Sequence, residues 1–324
     1  MKRHEMNPII TRQDIPEVGP RLTDVSSVFN PGAVKFKDRY LLILRVQSRG
    51  RETFFLKAES PDGVNFKVDD QPVRFAGLEK VPQKIYHCYD ARITRLEGRY
   101  TIVFAMDMDD ACRLGLARTD DFESYEFLGF ISEEDSRNGV LFPEKIRGKY
   151  MLLERPNKFR IPGGPASGTT IVLSESDDLR AWRRAAAVAG GRFHYWDELI
   201  GAGPPPVKTR AGWLLIYHGV ATHLSSAHIY QAGVMLLGLD DPAQVIARCP
   251  DNILEPREIY ELTGQVPNVV FPSGLIVEEF DSEGFARPHS RVLVYYGAAD
   301  TSVGLAMTTI KELILQAQLG GAPE

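Results

Sequence analysis

Four stretches of this chain, 30–40, 90–100, 140–150 and 203–213, fall into one register when each is aligned on the aromatic residue that opens its second strand: Tyr40, Tyr100, Tyr150 and Trp213. In each, a short apolar run meets a charged or glycine-containing turn, Lys37-Asp38-Arg39, Glu97-Gly98-Arg99, Arg147-Gly148-Lys149 or Arg210-Ala211-Gly212, and a second apolar run follows. Runs such as Tyr40-Leu41-Leu42-Ile43-Leu44 are rich in β-formers and lack a helical period, so the unit reads as a hairpin. A third strand recurs from Phe54, Arg113, Thr170 and Gln231, and three of these lead into an acidic turn. A fifth copy with an enlarged turn runs from Val266 through Arg291 to Ala306. Strand meanders repeated along a chain with no helix between strands are the sequence form of propeller blades. A β-sandwich explains the strands but neither their equal spacing nor their shared register. The chain is predicted to be all-β, one five-bladed β-propeller over residues 1–324, with blades starting near 28, 88, 138, 200 and 266 and terminal arms at 1–25 and 309–324.

Blades converge on an axis, so a repeat position maps to a place. The position ten before the aromatic holds Asn30, Asp90, Val140 and Gly203, and the position five after it holds Arg45, Ala105, Arg155 and His218. A lone arginine at a strand end is ordinarily solvated. Arg45, Arg155 and His218 recur at one position in different blades, however, so if one faces the axis all do. Such a gathering of cations is costly unless an anion fills it. The run Gly201-Ala202-Gly203-Pro204-Pro205-Pro206-Val207-Lys208 combines glycines that permit close backbone approach with prolines that fix its path, and it reads equally as a stiff blade entry. Asp300, closing Tyr296-Gly297-Ala298-Ala299-Asp300, reads as a site residue or a turn residue.

Composition narrows the partners. A formal net charge of -5 disfavours nucleic acid or an anionic membrane surface. The three cysteines, Cys88, Cys112 and Cys249, form no C-x-x-C pair and no metal-ligand spacing, which predicts neither disulfides nor a metal site. The N-terminus carries charge without a following apolar export signal, and the longest apolar runs fall well short of a membrane span. A cytoplasmic location is expected.

The strings Val28-Phe29-Asn30-Pro31-Gly32-Ala33, Tyr89-Asp90-Ala91-Arg92-Ile93-Thr94, Leu141-Phe142-Pro143-Glu144-Lys145-Ile146, Gly201-Ala202-Gly203-Pro204-Pro205-Pro206, Tyr217-His218-Gly219-Val220, Val266-Pro267-Asn268-Val269-Val270-Phe271-Pro272 and Tyr295-Tyr296-Gly297-Ala298-Ala299-Asp300 resemble glycoside hydrolase family 130, in order and over nearly the whole chain. The resemblance implies a five-bladed propeller and an inverting phosphorylase of β-mannosides. It implies Asp90 as the proton donor, passing its proton through the mannose 3-hydroxyl. It further implies Arg137, Arg155 and Lys208 as phosphate ligands with His218 and Tyr230 as further contacts, and Asn30, Arg45, Arg51, Tyr89 and Asp300 around the sugar at the cleavage point. The oligomeric state stays open, a homo-oligomer contacting through the terminal arms, as in similar proteins, being one alternative. Two departures stand out. Ala91 replaces the proline usual after the aspartate, and Glu154 stands where His or Asp is more common. The Pro/Gly-rich segment 156–167 is an insertion expected to form a loop.

Inversion requires an acid at the leaving oxygen and a nucleophile on the opposite face of the sugar. A hydrolase needs a second carboxylate to deprotonate water. Phosphate is already anionic and needs only cations to hold it in line, so no cofactor beyond inorganic phosphate as co-substrate is expected. A hydrolase on the same fold and a non-catalytic carbohydrate-binding propeller are the competing readings, and the identity of the leaving sugar stays open.

Overall fold

The hairpin turns of the repeat are built as their sequences require. Glu97-Gly98 and Arg147-Gly148 both hold positive φ, 51° and 79° in the first and 51° and 77° in the second. That is the backbone twist a two-residue β-hairpin needs. The protein is described by a computed structural model covering every residue except 18, 133, 161–165, 223–227 and 322–324.

The strands assemble into five antiparallel blades. Blade 1 comprises Ser27–Phe36, Arg39–Gln47, Thr53–Ser60 and Lys67–Pro72. Blade 2 comprises Ile85–Leu96, Arg99–Met108, Cys112–Thr119 and Tyr125–Phe130, its outer strand extended in parallel by Phe75–Ala76. Blade 3 comprises Ser136–Leu141, Tyr150–Pro156, Thr170–Ser176 and Arg183–Gly190. In blade 4 the prolines break the first strand into Leu199–Ala202 and Val207–Thr209, both paired with Gly212–Ala221, and Ile229–Leu237 and Val245–Arg248 follow. Blade 5 comprises Val270–Val277, Arg291–Ala298 and Ser302–Thr309. Apolar faces of adjacent blades pack together, as where Phe55 meets Phe104 edge-on at 6.0 Å and Trp213 meets Phe142 edge-on at 5.1 Å.

The fourth strand of blade 5 is Lys2–Arg3, paired with Ser302–Thr309. The N-terminal segment expected to lie outside the repeat thus closes the ring. Two residues are too few to carry a strand pattern. The clasp is ionic: Arg3 donates from Nε and Nη2 to the two oxygens of Glu261, each at 2.8 Å, and Glu261 is fully buried. Glu261 also accepts from the backbone of Arg257 and Glu258 and from the Tyr296 hydroxyl. At the other end the helix Ile310–Gln318, capped by Thr309, buries Ile310, Leu313 and Ala317.

The first strand of each continuous blade carries a break in pairing at one place: between Phe29 and Gly32, Tyr89 and Arg92, Arg137 and Val140, and Pro272 and Gly274. In blades 1 to 3 the bulged residue is left-handed, with φ of 44° at Asn30, 57° at Asp90 and 55° at Asn138. A bulge re-aims a side chain, and Asn and Asp tolerate this conformation better than most residues. The aromatic alignment puts Val140 at this position. The structure puts Asn138 there, because blade 3 has two more residues between its first strand and Tyr150: Leu141 pairs with Leu152, whereas Ala33 pairs with Leu42.

Removing the Arg3 clasp leaves Glu261 as an uncompensated buried charge, a defect worth about 3 kcal/mol. Arg3→Ala is expected to lower the urea unfolding midpoint accordingly, and Arg3→Lys, which keeps the charge but not the fork, to lie between.

Candidate active site

A cavity of about 410 Å³ at one end of the axis is lined from all five blades. Blades 1 and 2 contribute Asn30, Arg45, Tyr89 and Asp90; blade 3 contributes Arg137, Asn138 and Arg155; blade 4 His218 and Tyr230; blade 5 Phe271 and Asp300. Cross-strand pairing explains the convergence. Arg45 faces Phe29, Arg155 faces Arg137, His218 faces Gly201, and each pair lies at the bulge level. Glycine makes room twice: a Cβ at Gly297 would lie 1.9 Å from Asn30 Oδ1, and one at Gly201 would lie 2.4 Å from His218 Cε1.

Asp90 is held through one oxygen. Its Oδ1 accepts from Asn30 Nδ2 at 2.9 Å and from Arg45 Nη1 at 3.0 Å. Among the described residues Oδ2 has no hydrogen-bond partner. Arg45 lies over the rings of Phe29 and Tyr89, at 4.5 and 4.6 Å, which fixes its reach. Asp300 completes this side, its carboxyl pushed up to about 6 by burial, an effect that nearby Asp90 reinforces and Arg45 opposes.

Blades 3 and 4 form the opposite wall, and it is cationic. Arg155 is 6% exposed, and its one hydrogen bond is from Nη2 to Asn157 Oδ1 at 3.2 Å. Among the described residues it has no carboxylate partner. Burial pulls its guanidinium down to about 10, and the charge of Arg137 adds to this. Arg137 reaches Asp107 Oδ1 through Nη2 at 3.3 Å, while among the described residues Nε of both arginines is buried without a partner. His218 is fully buried, set against Phe271 at 4.7 Å and Tyr230 at 6.2 Å, and among the described residues neither ring nitrogen has a well-formed hydrogen bond. Burial, with Arg155 and Arg92, holds it well below the ordinary histidine range, so it is neutral. Burial raises the Tyr230 phenol. Unpartnered donors gathered on one wall are a receptor for an anion.

Two residues expected in the site lie elsewhere. Lys208 pairs with Glu144 at 2.7 Å and lies 4.6 Å from the Phe285 ring, lining a separate hollow of about 780 Å³ at the other end of the axis. The reason is register: Lys208 faces Trp213 as Lys35 faces Tyr40, at the hairpin end of the strand and not the bulge end. Arg51 stands exposed outside the cavity wall, hydrogen-bonded to Gln47 and Gln265. Asn138, His228, Ser167 and Phe271 line the cavity without having been singled out. A common bulge position would have found Asn138. Of the 156–167 insertion, 161–165 lie outside the described residues; Phe159–Arg160 pairs with Ala166–Ser167, which brings Ser167 to the wall. Among the described residues there is no cluster able to hold a metal ion, and no helix is long and apolar enough to cross a membrane.

Two expectations follow. Lys208→Ala should change the affinity of the cavity for an inorganic anion by less than about twofold in a binding titration, since its charge is remote and already paired. Asp300 has a raised folded-state pKa, so its stabilising protonation is complete below about pH 4 and is lost as the pH rises through about 6. Asp300→Asn is therefore expected to be more stable than the parent at pH 8, by on the order of 2 kcal/mol, with the advantage shrinking toward pH 4 in thermal melts.

Comparison with known proteins agrees with this geometry. The family described as beta-1,4-mannooligosaccharide phosphorylase matches residues 1–317. The β-1,4-mannooligosaccharide phosphorylase of Ruminococcus albus is 31% identical over 323 residues, spanning 96% of this chain and 89% of that protein. The 1,2-β-oligomannan phosphorylase of a Thermoanaerobacter species is 33% identical over 299 residues, spanning 89% of this chain and 92% of its own. The structure of β-1,2-mannobiose phosphorylase from Listeria innocua, in complex with β-1,2-mannobiose, superposes with a TM-score of 0.83 at 28% identity over 98% of this chain and 99% of that one. With a matching propeller, a cavity built from every blade and a family match running almost end to end, the chain belongs to glycoside hydrolase family 130.

Proposed function

We propose that the protein is an inverting phosphorylase that cleaves a β-mannosidic bond with inorganic phosphate and releases α-mannose 1-phosphate. The observation that carries this reading is Arg155: a buried guanidinium beside Arg137, with no carboxylate of its own among the described residues, facing the cavity across from Asp90. An anion must come from outside to compensate it.

The mannose sits on the side of blades 1, 2 and 5, against Asn30, Arg45, Tyr89 and Asp300. Phosphate sits on the side of blades 3 and 4, against Arg137, Arg155, His218 and Tyr230, with His228 and Asn138 within the same wall. Asp90 Oδ2 delivers a proton toward the glycosidic oxygen, by way of the mannose 3-hydroxyl, as the C–O bond breaks. A phosphate oxygen forms the new bond to C1 from the opposite face, which inverts the configuration. Arg137 and Arg155 hold the phosphate in line, and the neutral His218 contributes hydrogen bonding without adding charge. Phosphate is the co-substrate and no cofactor is needed. The linkages named for the relatives include both β-1,4 and β-1,2, and both belong in the first substrate panel. The three cysteines are free, which suits the cytoplasm. Self-association through the terminal segments is part of the proposal.

The test is incubation with β-1,4- and β-1,2-mannobiose with and without phosphate, following mannose 1-phosphate. Turnover is expected only with phosphate; equal turnover in its absence would identify a hydrolase. Asp90→Asn is expected to lower kcat on the order of 10³-fold while phosphate still binds. A non-catalytic sugar-binding protein would show no turnover to lose.

A further inference from the structure

One carboxylate touches both halves of the site without a part in the reaction just described. Asp107, in Arg99–Met108 of blade 2, is not among the cavity-lining residues but touches two of them, and its side chain is 34% exposed. Its Oδ1 accepts from the Tyr89 hydroxyl at 2.6 Å and from Arg137 Nη2 at 3.3 Å. The Tyr89 ring in turn lies 4.6 Å from the Arg45 guanidinium and 5.6 Å from that of Arg137. One phenol thus stands between the arginine that holds Asp90 and an arginine of the anion wall.

We propose that Asp107 is a positioning residue that aims Arg137 and Tyr89 and, by staying paired with Arg137, limits how tightly phosphate is held. The inference rests on the phosphorylase reading.

Three observations support it. The short bond from Tyr89, itself 5% exposed, fixes the carboxylate, so the guanidinium is steered to it. The pairing with Arg137 is single and long, not a two-pronged fork, and it leaves Nε of Arg137 without a partner. Finally, the two arginines of the wall are unequal: Arg155 has no carboxylate partner among the described residues and supplies attraction, while Arg137 is partly neutralised and supplies direction. A phosphorylase catalyses a reversible exchange and must let its anion go. A carboxylate sharing a guanidinium with a bound dianion repels that dianion, and with Asp107 34% exposed the repulsion is moderated by solvent but not removed. Deleting the charge while keeping the acceptor oxygen therefore strengthens phosphate binding, and deleting both loses the aim.

The experiment is calorimetric titration of inorganic phosphate into the parent, Asp107→Asn, Asp107→Ala and Tyr89→Phe, paired with steady-state phosphorolysis of the better mannobiose. Asp107→Asn is expected to bind phosphate on the order of tenfold more tightly, with the phosphate KM falling in parallel and kcat within about threefold of the parent. Asp107→Ala is expected to lose on the order of tenfold in kcat through misorientation. Tyr89→Phe keeps the Asp107 charge but loosens it, and is expected to lower kcat with no gain in phosphate affinity. Phosphate affinity in Asp107→Asn equal to or weaker than the parent's overturns the proposal, and so does a gain of equal size in Tyr89→Phe. Turnover by the parent that ignores phosphate fails the phosphorylase reading instead, and the binding titrations tell that failure apart.

Discussion

The site depends on one buried cation. Arg92 is 1% exposed and lies beneath the cavity, where its Nε donates to the carbonyl of Gly203 in blade 4 at 2.8 Å and its Nη1 to the carbonyl of Asp90 at 3.0 Å. Its guanidinium also lies 5.4 Å from the Phe271 ring of blade 5. One side chain therefore ties three blades across the axis. Burial pulls its guanidinium down to about 10, and the charge of Asp90 opposes the shift. Arg92 binds the backbone of Asp90, the proposed acid, and so fixes the left-handed turn that points this side chain into the cavity.

That tie gives meaning to the bulges. A straight strand running down the axis would alternate its side chains between neighbouring blades and present few of them to the cavity. The break after Phe29, Tyr89 and Arg137 turns Asn30, Asp90 and Asn138 out of that alternation, at one level in three successive blades. Asn30 then reaches Asp90 at 2.9 Å across a blade boundary, over a Gly297 that has no Cβ to block it. The acid is thereby oriented by groups from two blades and a glycine from a third. None of these depends on the loops that vary the rim.

This architecture explains which parts were legible in the sequence. Arg45, Arg155 and His218 lie in second strands, where the spacing from the hairpin aromatic to the site is constant, so an alignment on that aromatic brings them together. First strands lack that constancy. The longer hairpin of blade 3 displaced the alignment from Asn138 to Val140, and a pattern of alternation does not announce a bulge. Lys208 is the converse case. Its register matches Lys35, at the hairpin end of the first strand, and the motif around it drew it toward a site that the register excludes. The closing strand Lys2–Arg3 was hidden because its identity comes from a pairing across nearly the whole chain.

The distribution of charge within the cavity carries the last step. A hydrolase that inverts needs a base on the face opposite the acid. Among the described residues, the wall formed by blades 3 and 4 holds Arg137, Asn138, Arg155, Ser167, His218, His228 and Tyr230, and no carboxylate. His218 is a poor base there, because burial and two nearby guanidiniums hold its proton affinity down. Asp90 and Asp300 both stand on the other side, and Asp107 is engaged by Tyr89 and Arg137. Among the described residues, a neutral water would meet mainly donors on that wall and no carboxylate to deprotonate it. A phosphate dianion meets the same donors and needs no base, so a wall without a carboxylate suits the proposed phosphate attack better than hydrolysis.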